Sequence, residues 1–143
     1  MRGYLVDTNV ISERKHAAVA AWLEAASPML WLSAITAAEV ASGIARKRRE
    51  GALQQAELLQ RWWDAVLHLH AERILPFDLA VAAIAGVEMD ASRAAGRNPG
   101  FADIAIAATA RAHDLVVLTR NLKHFQPLGV DCVDPYAGLP QLS

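Results

Sequence analysis

Residues 101–121 read FADIAIAATARAHDLVVLTRN, and the change of pattern inside this stretch decides the fold class. From Phe101 to His113 the side chains are small and apolar almost all round, as in a helix covered by neighbours on most of its surface. Leu115-Val116-Val117-Leu118 is then a short unbroken apolar run, the pattern of a strand covered on both faces. Such strands belong to parallel sheets with helices on either side. The strand ends in polar residues, Thr119-Arg120-Asn121, where open parallel sheets place their ligands.

The same alternation runs outward from this segment. Tyr4-Leu5-Val6 reads as a first strand ending at Asp7, and residues 17–26, AAVAAWLEAA, as a helix stopped by Ser27-Pro28. Met29-Leu30-Trp31-Leu32 reads as a second strand. Ser33 is placed to cap the helix AITAAEVASGIARKRR (34–49), which gathers its basic residues in the last turn and stops at Gly51. A longer helix follows from Ala52 to about Ala71, with Leu59, Trp62, Trp63, Val66 and Leu67 at helical spacing. Arg73-Ile74-Leu75 reads as a third strand, Asp78 as the cap of a helix to about Ala95, residues 96–100 as a loop, and 130–133 as a last weak strand. Strands alternating with helices and no hairpin signal predict an α/β chain with a mostly parallel sheet and helices on both faces.

Composition agrees with a single domain over 1–143. At 143 residues the chain can bury roughly 68–70% of its unfolded surface in one core. Hydrophobic residues make up 54% and charged residues 20%, which excludes a disordered tail. Fourteen basic against 15 acidic residues leave a net charge of -1, so any hold on a polyanion must come from a local patch. The single cysteine, Cys132, excludes an internal disulfide and a cysteine-rich zinc site and suits a reducing compartment. The longest uncharged stretch, Ala25 to Ala38, is too short for a membrane span and contains Pro28. A cytoplasmic protein with no membrane association is expected.

Three carboxylates stand where chemistry would be placed: Asp7 after the first strand, Glu39 in the helix after the second, and Asp103 in the first turn of the helix before the fourth. Each has a plain reading by itself: Asp7 as a turn or cap residue, Glu39 as a solvated helix residue, Asp103 as an anion favoured by a helix amino end. Brought together on an apolar scaffold they would repel, and must protonate, pair with a cation or bind a metal. Oxygen-only ligation suits a hard ion, magnesium or manganese, which keeps several waters and needs only one or two direct carboxylates. Such an ion acidifies water and neutralises phosphoryl charge, the chemistry of phosphodiester hydrolysis.

Four segments, LVDTNVIS (5–12), SAITAAEVASGI (33–44), FADIAIAATARAHDLVVLTRNLKHF (101–125) and, more loosely, ILPFD (74–78), together resemble the PIN-domain family. Within it they are similar to the ribonuclease toxins of the VapC type from type II toxin–antitoxin pairs, in the FitB-like subgroup. The resemblance implies a three-layer α/β/α PIN-like domain and a magnesium-dependent endoribonuclease acting on RNA of the tRNA or rRNA class. It also implies a cognate VapB-type antitoxin and pairing as a homodimer. It carries the catalytic set onto Asp7, Glu39, Asp103 and Asn121, with Asp7 and Asp103 as direct metal ligands, Glu39 acting through water, and Thr8, Asn9 and Thr119 supporting them. Asn121 stands where many relatives carry an Asp; it brings no charge, so one resident ion is favoured over two.

Arg97, Arg120, Lys123 and His124 are the basic residues nearest this set along the chain and are candidates for RNA phosphate. His124 is not expected to bind metal. The run Arg46-Lys47-Arg48-Arg49 is first a solvated helix end complementing the macrodipole, and only second a grip on RNA. The stripe around Trp62, Trp63 and Leu67 is core, but Leu58, Ala65 and Leu69 widen it to nearly all round, and the resemblance implies a partner groove there, where relatives receive an antitoxin and pair as dimers. Rival readings are an inactive PIN-like RNA-binding module and an aspartate-based phosphatase or phosphoacceptor domain. A phosphatase would want DxD where Asp7-Thr8-Asn9 stands.

Overall fold

The computed structural model describes residues 2–142. The elements run β1 (Tyr4–Val6), α1 (Thr8–Ile11), α2 (Ala17–Ala25), β2 (Leu30–Ser33), α3 (Ala34–Arg49), α4 (Leu53–Leu69), β3 (Ile74–Leu75), α5 (Leu79–Ala94), α6 (Phe101–Ala112), β4 (Val116–Leu118), α7 (Leu122–Phe125) and β5 (Cys132–Val133). The strands form a five-stranded sheet, all parallel, in the order β3-β2-β1-β4-β5. In register, Tyr4, Leu5 and Val6 pair with Val116, Val117 and Leu118.

Side chains alternate across β1 as the pleat requires. Tyr4 and Val6 enter one core with Val10, Trp22, Val40, Ile44 and Trp63, which covers that face with α1 to α4. Leu5 points to the other face and packs with Ile106, Ala110, Val117 and Phe125 of α6, β4 and α7. A third cluster, Val81, Ala85, Ile104 and Ala108, binds α5 onto α6. The result is the three-layer α/β/α arrangement, and it explains why α6 is apolar all round: sheet on one side, α5 on another.

The caps are those the sequence specifies. Ser33 Oγ accepts from Thr36 N–H and Asp78 Oδ1 from Val81 N–H, both at 3.1 Å, and Gly51 takes the left-handed conformation past α3, at φ +81°. The two edge strands, β3 and β5, are shorter than the sequence suggests. Arg73 leaves β3 for a 3-10 turn, where its guanidinium donates to the backbone carbonyls of Leu30, Ser27 and Leu69. β5 is only Cys132–Val133. The four-residue helices α1 and α7 carry no sequence signal, because a single turn is too short to show a hydrophobic period.

Strand order reverses between β1 and β4: β2 and β3 lie on one side of β1, β4 and β5 on the other. The crevice outside the carboxyl ends of β1 and β4 is therefore the topological switch point of the sheet, where a ligand has room between connections that leave in opposite directions.

Candidate active site at the carboxyl edge of the sheet

Asp7 leaves β1 directly into this crevice. Its backbone N–H extends the ladder to Leu118 O at 2.9 Å, and its carboxylate caps α1, with Oδ1 accepting from Thr8 N–H at 2.9 Å. The other oxygen, Oδ2, accepts from the hydroxyl of Thr119 at 2.9 Å. Thr119 is completely buried at the end of β4, and its oxygen accepts in turn from Asn121 N–H at 3.0 Å. The plain reading of Asp7 as a cap holds, and its second carboxylate oxygen is tied across the crevice to Thr119.

Glu39 reaches the same place from α3. Thr8 Oγ1 donates to Glu39 Oε1 at 3.1 Å, so the residue after Asp7 fixes the second carboxylate. Beyond Glu39 an open groove of about 450 Å3 runs along α3 past Ala38, Ser42 and Gly43 to Arg46. Asp103 comes from the first turn of α6, with Oδ2 3.4 Å from His124 Nδ1. Partial burial pushes the Glu39 carboxyl above its ordinary range; the Thr8 hydroxyl opposes this, and the charges of Asp7 and Asp103 add to it. Asp103 is pushed up by burial too, against the pull of His124 and with the help of Asp7. The three carboxylates therefore feel one another, which no spacing along the chain could establish.

Other expected residues divide. Arg97 and Lys123 line a cleft of about 410 Å3 together with Asn98, Asp103 and His124. Arg120 does not line it; its guanidinium sits 4.1 Å above the Tyr136 ring. Asn9 is exposed on α1 and Asn121 is partly buried, and among the described residues neither side chain makes a hydrogen bond with the carboxylates. Arg46 pairs with Glu50 at 3.6 Å and Arg48 reaches Gln60, as expected of a solvated helix end. Leu58 and Leu69 are indeed exposed on α4, at 60% and 58%.

Two features have no counterpart in the sequence pattern. His124 touches Asp103 because α7 turns back under α6, and nothing in the local pattern announces that turn. Tyr136, far along the chain, packs edge-on against His16 at 5.3 Å and beneath Arg120. Burial, with Glu13 close by, pushes its phenol up to about 12.

The donor set suits a hard divalent cation by its chemistry: three partly exposed carboxylates, with Glu39 and Asp103 raised chiefly by burial and further by neighbouring negative charge, and no Lys or Arg ion pair to Asp7, Glu39 or Asp103 among the described residues. Among the same residues no group of three His, Cys, Asp or Glu side chains is placed to hold a metal ion together. The fit is to an ion that takes one or two carboxylates directly and fills its remaining positions with water. No helix of the described residues is long and apolar enough to cross a membrane.

The profile of the PIN domain matches residues 4–127. The chain belongs to the PIN domain family. This PIN domain is 38% identical over 137 residues to the VapC ribonuclease Y4jK of Sinorhizobium fredii, covering 92% of this chain and 96% of the relative. It is equally 38% identical, over 92% of its own length and 97% of the other's, to the toxin FitB of Neisseria gonorrhoeae. Among solved structures, that of FitAcB from Neisseria gonorrhoeae superposes with a TM-score of 0.80 at 37% identity, covering 93% of this chain and 98% of the other. VapBC2 from Rickettsia felis, bound to a promoter DNA fragment, has a TM-score of 0.75 at 21% identity and so shares the fold.

Proposed function

We propose that this PIN domain is the toxin of a type II toxin–antitoxin pair and hydrolyses RNA phosphodiester bonds with the help of Mg2+, or Mn2+ in its place. The observation that carries the reading is the Thr119–Asp7 hydrogen bond across the switch point, which sets one carboxylate in the crevice within electrostatic reach of Glu39 and Asp103. The relatives named ribonuclease and toxin support it.

Asp7 and Asp103 would hold the ion directly and Glu39 through water, with one ion at rest because Asn121 adds no charge. When bound, it would acidify water and neutralise phosphoryl charge. The chain supplies the rest. Thr8 N–H and the Thr119 hydroxyl orient the Asp7 carboxylate, while the Thr8 hydroxyl holds Glu39 by one oxygen and leaves the other for the attacking water. Glu39 takes that water's proton, a task helped by its raised proton affinity. Water oxygen bonds to phosphorus as the bond to the leaving ribose oxygen breaks, and the leaving oxygen takes a proton from solvent.

A VapB-type antitoxin would hold the protein inactive, with the exposed leucines of α4 as one place for it, and the toxin would act as a homodimer in the cytoplasm on tRNA or rRNA. Incubation of antitoxin-free protein with RNA tests the nuclease reading. Cleavage should need Mg2+, stop with EDTA and fall at least 100-fold in Asp7→Ala; cleavage indifferent to both would refute it.

A further inference from the structure

Phe101 opens α6 two residues before Asp103, on the helix with the most buried interior of the fold, yet it is 53% exposed. Its ring pairs with that of Phe77 in an edge arrangement, centroids 5.8 Å apart and planes at 72°, and about half of the residue stays open to solvent. The surroundings indicate what covers it. A shallow pocket of about 80 Å3 lies against it, bordered by Met89, Arg93, Arg97 and Ile104. Arg97 also borders the cleft that holds Lys123 and Asp103. An aromatic ring, a guanidinium, an ammonium and the Asp103 carboxylate thus border two adjoining pockets that share Arg97. Among the described residues neither Arg97 nor Lys123 is engaged in an ion pair.

We infer that these pockets form a nucleotide subsite: an unpaired base of the RNA stacks on Phe101, its backbone phosphate lies between Arg97 and Lys123, and the neighbouring phosphodiester is thereby delivered to Asp103. The inference rests on the ribonuclease reading and deepens it by naming the side chains that hold one nucleotide beside Asp103. Charge decides for RNA over an apolar protein partner, because two cations outside any ion pair, Arg97 at the ring's own pocket and Lys123 in the adjoining cleft, match a base followed by its phosphate. A duplex keeps its bases stacked inside and cannot offer one to the ring.

The test measures binding of the full chain, in EDTA so that nothing is cut, to a short fluorescent oligoribonucleotide, single-stranded or annealed to its complement. Phe101→Ala should weaken single-strand binding about fivefold or more. Phe101→Trp should keep it, and Phe101→Leu, which retains bulk without a π-face, should not. Removing both cations (R97A with K123A) should flatten the slope of log K against log salt by about 0.7, the value for the one single-strand phosphate that the pair no longer neutralises. The inference is overturned if Phe101→Leu binds like the parent protein, if duplex and single strand lose equally, or if the parent protein binds no single-stranded RNA. It is also overturned if Phe101→Ala changes the oligomeric mass in light scattering while RNA binding stays intact, which would make the ring a protein contact. Magnesium-dependent cleavage that survives any of these results leaves the nuclease reading standing, since that reading is decided by Asp7→Ala. Thermal unfolding of each variant controls for folding, and the Leu and Trp forms decide alone if the Ala form unfolds.

Discussion

Thr119 and Asp7 stand 112 positions apart in the chain and are joined by a 2.9 Å hydrogen bond from a fully buried hydroxyl to a carboxylate oxygen. The bond closes the end of the β1–β4 pair and aims the carboxylate. Thr119→Val keeps the shape and removes the donor, and it also deprives Asn121 N–H of its acceptor. A loss of about 1–3 kcal/mol in stability is expected, together with a drop in cleavage of at least tenfold that survives conditions in which the variant is fully folded. Urea unfolding and single-turnover cleavage measured on the same preparation check both parts.

Glu39 and Asp103 should show that the site is built at the cost of stability. Their folded-state proton affinities are raised, so their contribution is present at low pH and is lost as pH rises from the unfolded carboxylate range through the folded values. Glu39→Gln should therefore stabilise the metal-free protein at pH 7. Solvent screening limits the gain to a few tenths of a kcal/mol, about 1 °C in Tm, while cleavage is abolished. Mg2+ should raise Tm in the parent protein and by less in Glu39→Gln with Asp103→Asn. Equal rises in both would argue that the ion binds elsewhere.

His70 should set an acid limit. It is 3% exposed, with Nδ1 3.4 Å from Arg73 Nη2. Burial pushes its proton affinity below the ordinary histidine value, the Arg73 charge pushes further, and the Leu30 carbonyl resists. The unfolded chain thus takes up this proton first as pH falls, so the stabilisation is whole above about pH 6.5 and is lost below it. The slope due to this group is at most about 1.4 kcal/mol per pH unit. Urea unfolding between pH 5 and 8 should show it, and His70→Gln should flatten the curve.

Two glycines should respond in opposite directions. Gly86 lies inside α5, and a Cβ there would meet nothing within 4 Å, so Gly86→Ala should stabilise by about 0.5–1 kcal/mol. Gly129 adopts φ +71° with Arg111 Nη2 3.4 Å from an added Cβ, so Gly129→Ala should destabilise by about 1 kcal/mol or more. A destabilised Gly86→Ala would mean that α5 meets a partner closely in solution.

Sequence by itself determined the longer elements and singled out the three acids as candidates. Period and capping are local properties, so α3 was bounded to the residue by Ser33 and Gly51, and β4 was plain in an unbroken apolar run. The position of Asp7 at a strand end was likewise legible, because the change from Tyr4-Leu5-Val6 to Asp7-Thr8-Asn9 is a change in what the chain can bury. Tertiary structure alone decided which polar groups meet. Reversal of strand order between β1 and β4 set Thr119 on Asp7, and the turn into α7 set His124 on Asp103. Arg120, adjacent to Thr119 in sequence, was carried off to Tyr136, while Arg97, from a distant loop, came to the edge of the cleft. Such pairings depend on the directions in which helices leave the sheet and pack on it. Those directions are set by the summed burial of whole layers, which no local window of residues contains.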